Sequence, residues 1–255
     1  MQRLEGRVAV VTGAGRGIGA GIARVLAAEG AAVLLASRTL EPTEAVAREI
    51  EQKGGRARAV ACDVSERAQL DAAVAAAVDA FGPPDILVNN AQGGRVSAQP
   101  VALEDVTAEM ATESFAGGVL ASLHGMQAVF PHFKEQGRGT IVNMASSTGV
   151  EGDPGFSPYG IAKEGIRGLT KHAAREWGKH GITVNVLCPA AMTEHLRPYA
   201  DEHPRWFEAV VKRVPLGRLG DPADDIAPVV LALATDLHYV TGATIMVDGG
   251  RCILR

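Results

Sequence analysis

The chain has 255 residues, 47% of them apolar and 21% charged, with a formal net charge of −4. This is enough apolar material for a full core, with no basic surplus to draw nucleic acid or an anionic membrane and no apolar run near the eighteen or more residues of a membrane helix. No Pro/Ser-rich linker or charge run divides the chain, the three cysteines are too scattered for a disulfide framework or a zinc site, and residues 1–6 lack a signal-peptide apolar stretch; one cytoplasmic domain spanning 1–255 is expected.

Val8-Ala9-Val10-Val11 predicts a first buried strand, and Ile18, Ile22, Val25 and Leu26 then mark one helix face at the 3.6-residue period. A second strand at 32–36, a helix over 41–53 stopped by Gly54-Gly55, and a third strand at 58–62 follow. Leu70, Val74, Ala77, Val78 and Phe81 define the next helix, ended by Gly82-Pro83-Pro84. Strands are predicted at 85–89, 139–145, 182–187 and 243–247, with a mostly helical stretch over about 103–133. Ala162, Ile166, Leu169, Ala173 and Trp177 line a further helix, and Ile226, Val229, Val230 and Leu233 a late one. Continuously apolar strands separated by helices predict a parallel sheet covered on both faces. Right-handed crossovers make it a doubly wound, Rossmann-type α/β fold of about seven strands. Ligands bind such folds outside the carboxyl ends of the strands, so chemistry is expected just after residues 12, 37, 62, 89, 145 and 188.

The first of these places carries Thr12-Gly13-Ala14-Gly15-Arg16-Gly17-Ile18-Gly19, between a strand and a helix. Glycines there let the backbone approach a pyrophosphate, and the helix start supplies amide donors. The second strand ends Ala36-Ser37-Arg38, where an acidic residue would hold the ribose hydroxyls of NAD. Arg38, helped by Arg16, instead suits a 2′-phosphate, which favours NADP(H) and leaves NAD(H) possible. Asp63-Val64 follows the third strand, within reach of an adenine amino group, and Asn89-Asn90-Ala91 follows the fourth, where the amides either meet ligand or tie strand ends together.

Tyr159 and Lys163 stand four apart on a predicted helix, so they project from one face. An ammonium beside a phenol lowers its pKa from about 10 and fits it to exchange a proton with an alcohol or carbonyl oxygen. Ser146 lies thirteen residues upstream.

Taken together, these motifs resemble the short-chain dehydrogenase/reductase family over nearly the whole chain. The carriers are the glycine loop, Asp63-Val64, Asn89-Asn90-Ala91, Ile141-Val142-Asn143 before Ser146, Tyr159-x-x-x-Lys163, Gly181-Ile182-x-Val184-Asn185 with Pro189, and Thr241-Gly242 with Val247-Asp248-Gly249-Gly250. The resemblance implies metal-free, NAD(P)-dependent interconversion of alcohols and carbonyls. It assigns Tyr159 as general acid/base, Lys163 to lower its pKa and hold the nicotinamide ribose, and Ser146 to bind the substrate oxygen. It places Pro189 and Ala190-Ala191-Met192-Thr193 along the nicotinamide, with Thr193 at the carboxamide.

Three departures stand out. The family commonly has an asparagine at or near Gly118 that holds a water joining the lysine to solvent, and no asparagine occurs between Asn90 and Asn143. Asn89-Asn90-Ala91 is usually followed by glycine and here by Gln92, whose side chain is expected at the active-site mouth. Pro189 is usually followed by glycine and here by Ala190, which costs backbone freedom.

In the family, 193–220 is a mobile lid over the substrate. Tyr199 and Trp206 there either line an apolar pocket or pack the lid on the body; His195 and His203 read as solvated or lid-anchoring, and Phe156 as a pocket wall. The family habit also implies a homotetramer, with Trp177 and Ile245-Met246-Val247 as candidate contacts. The leading expectation is an NADP(H)-preferring secondary-alcohol/ketone oxidoreductase with a small-molecule substrate. The alternatives are a 3-oxoacyl thioester reductase, with Arg197, Arg205, Lys212 and Arg213 as a carrier-facing patch, or a non-catalytic NADP-binding sensor.

Overall fold

The computed structural model describes residues 2–93, 100–194 and 196–254. Seven parallel strands form one sheet: β1 (Val8–Thr12), β2 (Ala32–Ser37), β3 (Arg56–Ala61), β4 (Ile86–Asn89), β5 (Gly139–Met144), β6 (Ile182–Pro189) and β7 (Thr244–Val247). Their spatial order is β3-β2-β1-β4-β5-β6-β7. The chain therefore winds outward from β1 to one edge, returns to β4, and winds to the other, with a switch point between β1 and β4.

Alternation along β1 shows why both faces are covered. Ala9 and Val11 pack with Ala20, Ile22 and Leu26 of α1 (Gly17–Ala28) and with Val46 and Ile50 of α2 (Leu40–Gln52). Val8 and Val10 pack on the opposite side with Leu70 and Val74 of α3 (Arg67–Phe81). Fully burying one such aliphatic side chain contributes about 1.5–3 kcal/mol, so the two layers hold the sheet from both sides. β3 begins two residues earlier than the apolar pattern predicts, because at the sheet edge Arg56 and Arg58 point to solvent and break the apolar run.

The stretch after β4 runs through α4 (Ala108–Phe115), a widened five-residue turn at Ala116–Leu120, and α5 (Ala121–Gln136). α6 (Ser147–Glu151) follows β5, and α7 (Ser157–Trp177) leads to β6. Beyond β6 come α8 (Leu196–Glu202) and α9 (Pro204–Lys212), then α10 (Ala227–Thr235). Three helices of this half are not predicted from apolar periodicity, α6, α8 and α9; all are short, and α9 buries none of its residues.

Trp177 turns inward. Its ring lies 4.6 Å from that of Phe130 on α5, and it packs against the core on the α3, α5 and α7 side. Among the described residues, no helix is long and apolar enough to cross a membrane.

Candidate active site

A groove of about 450 Å³ opens at the carboxyl ends of β1 to β4. Gly13, Gly15, Arg16 and Gly17 line it from the first loop, Ser37 and Arg38 from the second, Cys62 and Val64 from the third, and Asn90, Ala91 and Gln92 from the fourth. Thr193 closes the far side. The first loop has its shape because Gly13 has φ +66, where a side chain is strained, and because a Cβ there would stand 2.7 Å from Asn90 Nδ2. Asn90 is a clamp for that loop, donating from Nδ2 to Thr12 O at 2.9 Å and Gly13 O at 3.2 Å.

Ile18 and Gly19 do not line the groove. Gly19 packs its backbone against Gly13 and Asn90, where a Cβ would have no room. Asp63 is also outside the lining; its carboxylate accepts the Ser65 N–H at 2.9 Å and shapes the turn. Ser37 Oγ is engaged with Thr43 Oγ1 at 2.8 Å and Thr39 O at 3.0 Å, so it braces the second loop. Arg16 and Arg38 are exposed on the groove wall. Thr39 and Pro42 also line the groove, and no sequence motif marked them.

The residue pair Asn89 and Asn143 joins the groove to the second half of the site. They are register partners on β4 and β5, and Asn89 Nδ2 donates to Asn143 Oδ1 at 2.8 Å. Asn143 Nδ2 in turn donates to Thr170 Oγ1 on α7 at 3.0 Å. All three are buried, and this amide ladder holds α7 against the sheet.

α7 presents Tyr159 and Lys163 one turn apart. Ser146 caps α6, its Oγ accepting the Thr148 N–H at 3.2 Å. Lys163 Nζ donates to Met144 O at 3.0 Å and lies 5.3 Å from the Tyr159 ring centroid. The three side chains therefore meet at the end of β5, beside the groove; they are not among the groove's lining residues. Burial dominates the electrostatics here. Desolvation pushes the Tyr159 phenol up, while the neighbouring Ser146 hydroxyl pulls it down and Cys188 adds a smaller upward push. Desolvation lowers Lys163 from 10.5 to about 8. The direction at Tyr159 is thus set by burial and not by the ammonium that the sequence puts on the same helix face, in contrast to the expectation of a phenol held below its ordinary value.

Pro189 and Ala190 form the end of β6 and the bend after it. Ala190 carries no strain, since no described non-glycine residue has positive φ. Its N–H donates to Val247 O and its carbonyl accepts from Gly220. Met192 donates to Gly220 O, which anchors the start of the 193–220 segment. Gln92 lines the groove, and its carboxamide Nε2 donates to Ser114 O at 3.3 Å. Phe156 is partly buried just before α7. Tyr199 and Trp206 stand half-exposed, edge to face at 5.0 Å, with His203 4.3 Å from Tyr199. His195 lies outside the described residues.

The glycine cradle fits a dinucleotide. Gly13, Gly15 and Gly17 face the groove with backbone alone, and the exposed Arg16 and Arg38 guanidinium groups beside them supply charge for phosphate. Among the described residues no group of three or more His, Cys, Asp or Glu is placed to hold a metal.

The family model described as "Enoyl-(Acyl carrier protein) reductase" matches residues 13–251. The chain is 37% identical to a 12alpha-hydroxysteroid dehydrogenase from Clostridium sp., covering 96% of each chain. It is 40% identical to the short-chain reductase protein NovJ of Streptomyces niveus, over 96% of this chain and 93% of that one. It is 34% identical to the 3-oxoacyl-[acyl-carrier-protein] reductase FabG of Thermotoga maritima, over 98% and 100%. A crystal structure from Sinorhizobium meliloti 1021, described as a short-chain alcohol dehydrogenase, superimposes with a TM-score of 0.89 at 35% identity, covering 97% of each chain.

Proposed function

The chain belongs to the short-chain dehydrogenase/reductase family, and on that premise we propose that it interconverts a secondary alcohol and a ketone, preferring NADP(H), with Tyr159 as general acid/base. The observation that carries this reading is the meeting of Ser146, Tyr159 and Lys163 at the end of β5, next to the glycine cradle.

When bound, the nicotinamide gives or takes the hydride. The side chains manage the oxygen. In the reductive direction Tyr159 Oη donates a proton to the carbonyl oxygen as negative charge develops there. The Ser146 hydroxyl donates a hydrogen bond to the same oxygen and orients it. Lys163 supports the phenolate left behind and contacts the ribose. Oxidation runs these steps in reverse, with Tyr159 taking the alcohol proton. Gly13, Gly15, Gly17, Asn90, Ala91 and Val64 hold the dinucleotide, Arg16 and Arg38 its 2′-phosphate, and Pro189, Met192 and Thr193 the nicotinamide end.

Residues 193–220 serve as the lid of one domain spanning the chain. Tyr199 and Trp206 favour an apolar substrate, in keeping with the steroid named for one relative. A 3-oxoacyl thioester, as named for another relative, has less support, because Arg213 of the candidate carrier-facing patch is already 3.4 Å from Glu151. The intact trio argues against a sensor without turnover. Exposed Phe115, Leu120 and Ile161, on α4, the widened turn and α7, support self-association, and a homotetramer is the assembly proposed.

The test is a screen with NADPH and NADP+, and with NADH and NAD+, against cyclic ketones, steroids, 3-oxoacyl thioesters and their alcohols, beside Tyr159→Phe. Turnover that needs the phenol oxygen supports the reading. Turnover that survives in Tyr159→Phe, or coenzyme binding with no turnover on any of them, overturns it.

A further inference from the structure

A second pocket, of about 310 Å³, opens at the amino end of the sheet, opposite the end that carries the glycine cradle and Ser146. Its floor is the start of three neighbouring strands. Ile86, Thr140 and Thr183 are register partners on β4, β5 and β6, so their side chains leave the same face of the sheet. Leu233, Ala234 and Thr235, in the last turn of α10, cover that face. Two residues along β5 from Thr140, Val142 is buried in the core; at the strand starts the apolar floor gives way to two hydroxyls. Thr183 Oγ1 is buried and has no hydrogen-bond partner among the described residues. A buried hydroxyl left alone is uncommon in native folds and calls for a reason.

The wall is cationic. Arg7, Asp85 and Arg138 each stand one residue before a strand, β1, β4 and β5, and these strands are neighbours in the sheet. Arg7 Nη1 donates to Asp85 Oδ1 at 2.8 Å, and Arg138 Nε donates to the same oxygen at 2.9 Å. Asp85 Oδ2 accepts the Val8 N–H at 3.0 Å, so both carboxylate oxygens are taken. Among the described residues Asp85 is the only carboxylate lining the pocket. Asp236, just beyond α10, is held by Arg3. Two guanidinium groups thus share one carboxylate, a surplus of one positive charge. Each has five N–H donors and, among the described residues, spends one of them on protein. Both side chains are partly exposed, so the other donors are open to the pocket and to solvent.

We propose that this pocket binds a small metabolite through an oxyanion, a carboxylate or a phosphate ester, with Arg7 and Arg138 on the anion and the Thr183 hydroxyl on a second oxygen deeper in. A guanidinium meets either anion through two parallel N–H donors. Arg138, bonded to protein through Nε alone, keeps both Nη groups for that fork. Thr140 stands beside Thr183 and gives the inner contact a second hydroxyl. Water would satisfy Thr183 Oγ1 but would leave the surplus charge uncompensated. A volume of about 310 Å³ is at the lower end of the range for small-molecule sites. The site lies at the other end of the strands from Tyr159 and does not depend on the chemistry proposed there.

The test is titration calorimetry on the NADP+-saturated protein, which keeps the anion out of the glycine cradle, at an ionic strength held constant with chloride. The probes are malate and glycerol 3-phosphate, with glycerol as the uncharged control. One equivalent of at least one anion is expected to bind, and glycerol is not. Binding of malate alone identifies a carboxylate as the recognised group, of glycerol 3-phosphate alone a phosphate ester, and of both a site that reads charge. Arg138→Gln is expected to weaken binding by about tenfold or more, the loss of one charge-assisted contact. Thr183→Val keeps the side-chain shape. It is expected to weaken binding by about three- to tenfold with the urea midpoint equal or higher, because an unpaired buried hydroxyl is removed. Tyr159→Phe is expected to bind the anion as the parent does, whatever its turnover. No binding of either anion overturns the proposal, as does affinity unmoved in Thr183→Val. Equal affinity in Arg138→Gln and its parent also overturns it, and marks an adventitious anion elsewhere on the surface. Should Arg138→Gln not fold, Arg138→Lys, which keeps the charge and loses the fork, must show a weakened affinity.

Discussion

Lys163 Nζ stands over the face of the Tyr159 ring, 5.3 Å from its centroid, while its hydrogen bond goes to Met144 O. In the coenzyme-free protein the two groups are linked mainly by shared burial, which raises the phenol and lowers the ammonium to about 8. The sign of the stability effect follows. Between pH 8 and 10.5 the unfolded chain holds a proton on Lys163 that the fold releases, so stability rises with pH in that window. Below pH 8 the full cost of the buried ammonium is present. Tyr159 acts the other way above pH 10, because its raised value makes the fold retain a proton that the unfolded chain loses. Lys163→Met is therefore expected to stabilise the coenzyme-free protein at pH 7 by about 2–3 kcal/mol, with the gap closing toward pH 10. Urea unfolding midpoints at the two pH values measure this; a variant less stable than its parent at pH 7 would contradict it.

Much of this arrangement was legible in the sequence. The strands β1, β2, β4, β5 and β6 announce themselves as apolar runs, and Gly13 to Gly19 lies where a doubly wound sheet needs a cradle. The four-residue spacing of Tyr159 and Lys163 correctly put them on one helix face. The spacing could not show which way the ammonium leans, since burial by distant segments decides that. Nor could it show that the Gln92 carboxamide donates to Ser114 O, because the room for it comes from Gly118, twenty-six positions on in the chain. Trp177 was open to either an interface or a core reading, and its partner Phe130 lies on another helix. The aliphatic period says little about α9, whose apolar side is left unburied.

Coenzyme choice should turn on Arg38. It is exposed on the groove wall, and no carboxylate stands at the end of β2 to hold ribose hydroxyls. Arg38→Asp removes a cation and puts a negative charge beside the 2′-phosphate. The Michaelis constant for NADP(H) is expected to rise by about tenfold or more, one charge-assisted contact being worth about 1.5–3 kcal/mol, while that for NAD(H) falls or holds. Parallel saturation curves with both coenzymes check this, and equal changes for the two would remove Arg38 from phosphate recognition.

The buried ladder Asn89–Asn143–Thr170 should be costly to break. Asn143 is fully buried and serves both neighbours. Among the described residues, Asn143→Ala leaves Asn89 Nδ2 with only Ser122 O at 3.2 Å, and it opens a cavity. A loss of about 2–4 kcal/mol is expected. Thr170→Val should cost less, about 1 kcal/mol, since Thr170 Oγ1 donates within its own helix to Ile166 O. A double-mutant cycle should show strong non-additivity, as the two share one hydrogen bond.

The C-terminal tail reaches the catalytic loop through Arg251. Its guanidinium lies 3.5 Å from Asp153 Oδ2 and 4.0 Å from Glu151 Oε2, at the end of the short helix that Ser146 caps. Arg213, from the end of α9, meets the same Glu151 oxygen at 3.4 Å. Glu151 is thus a hub for the tail, the segment at the end of α9 and the loop carrying Ser146. Partly exposed pairs of this length contribute little to stability, about 0–1 kcal/mol each, so Arg251→Ala should barely move the urea midpoint. Its effect should fall on geometry: with α6 less tightly held, Ser146 orients the substrate oxygen less well. A fall in kcat/KM of about three- to tenfold is expected, the equivalent of roughly 1 kcal/mol of transition-state contact, with coenzyme affinity unchanged. Raised salt should weaken the parent toward the variant and leave the variant nearly flat, because the ion pairs are screened. If Arg251→Ala and its parent lose activity in parallel as salt rises, the tail does not act through this hub.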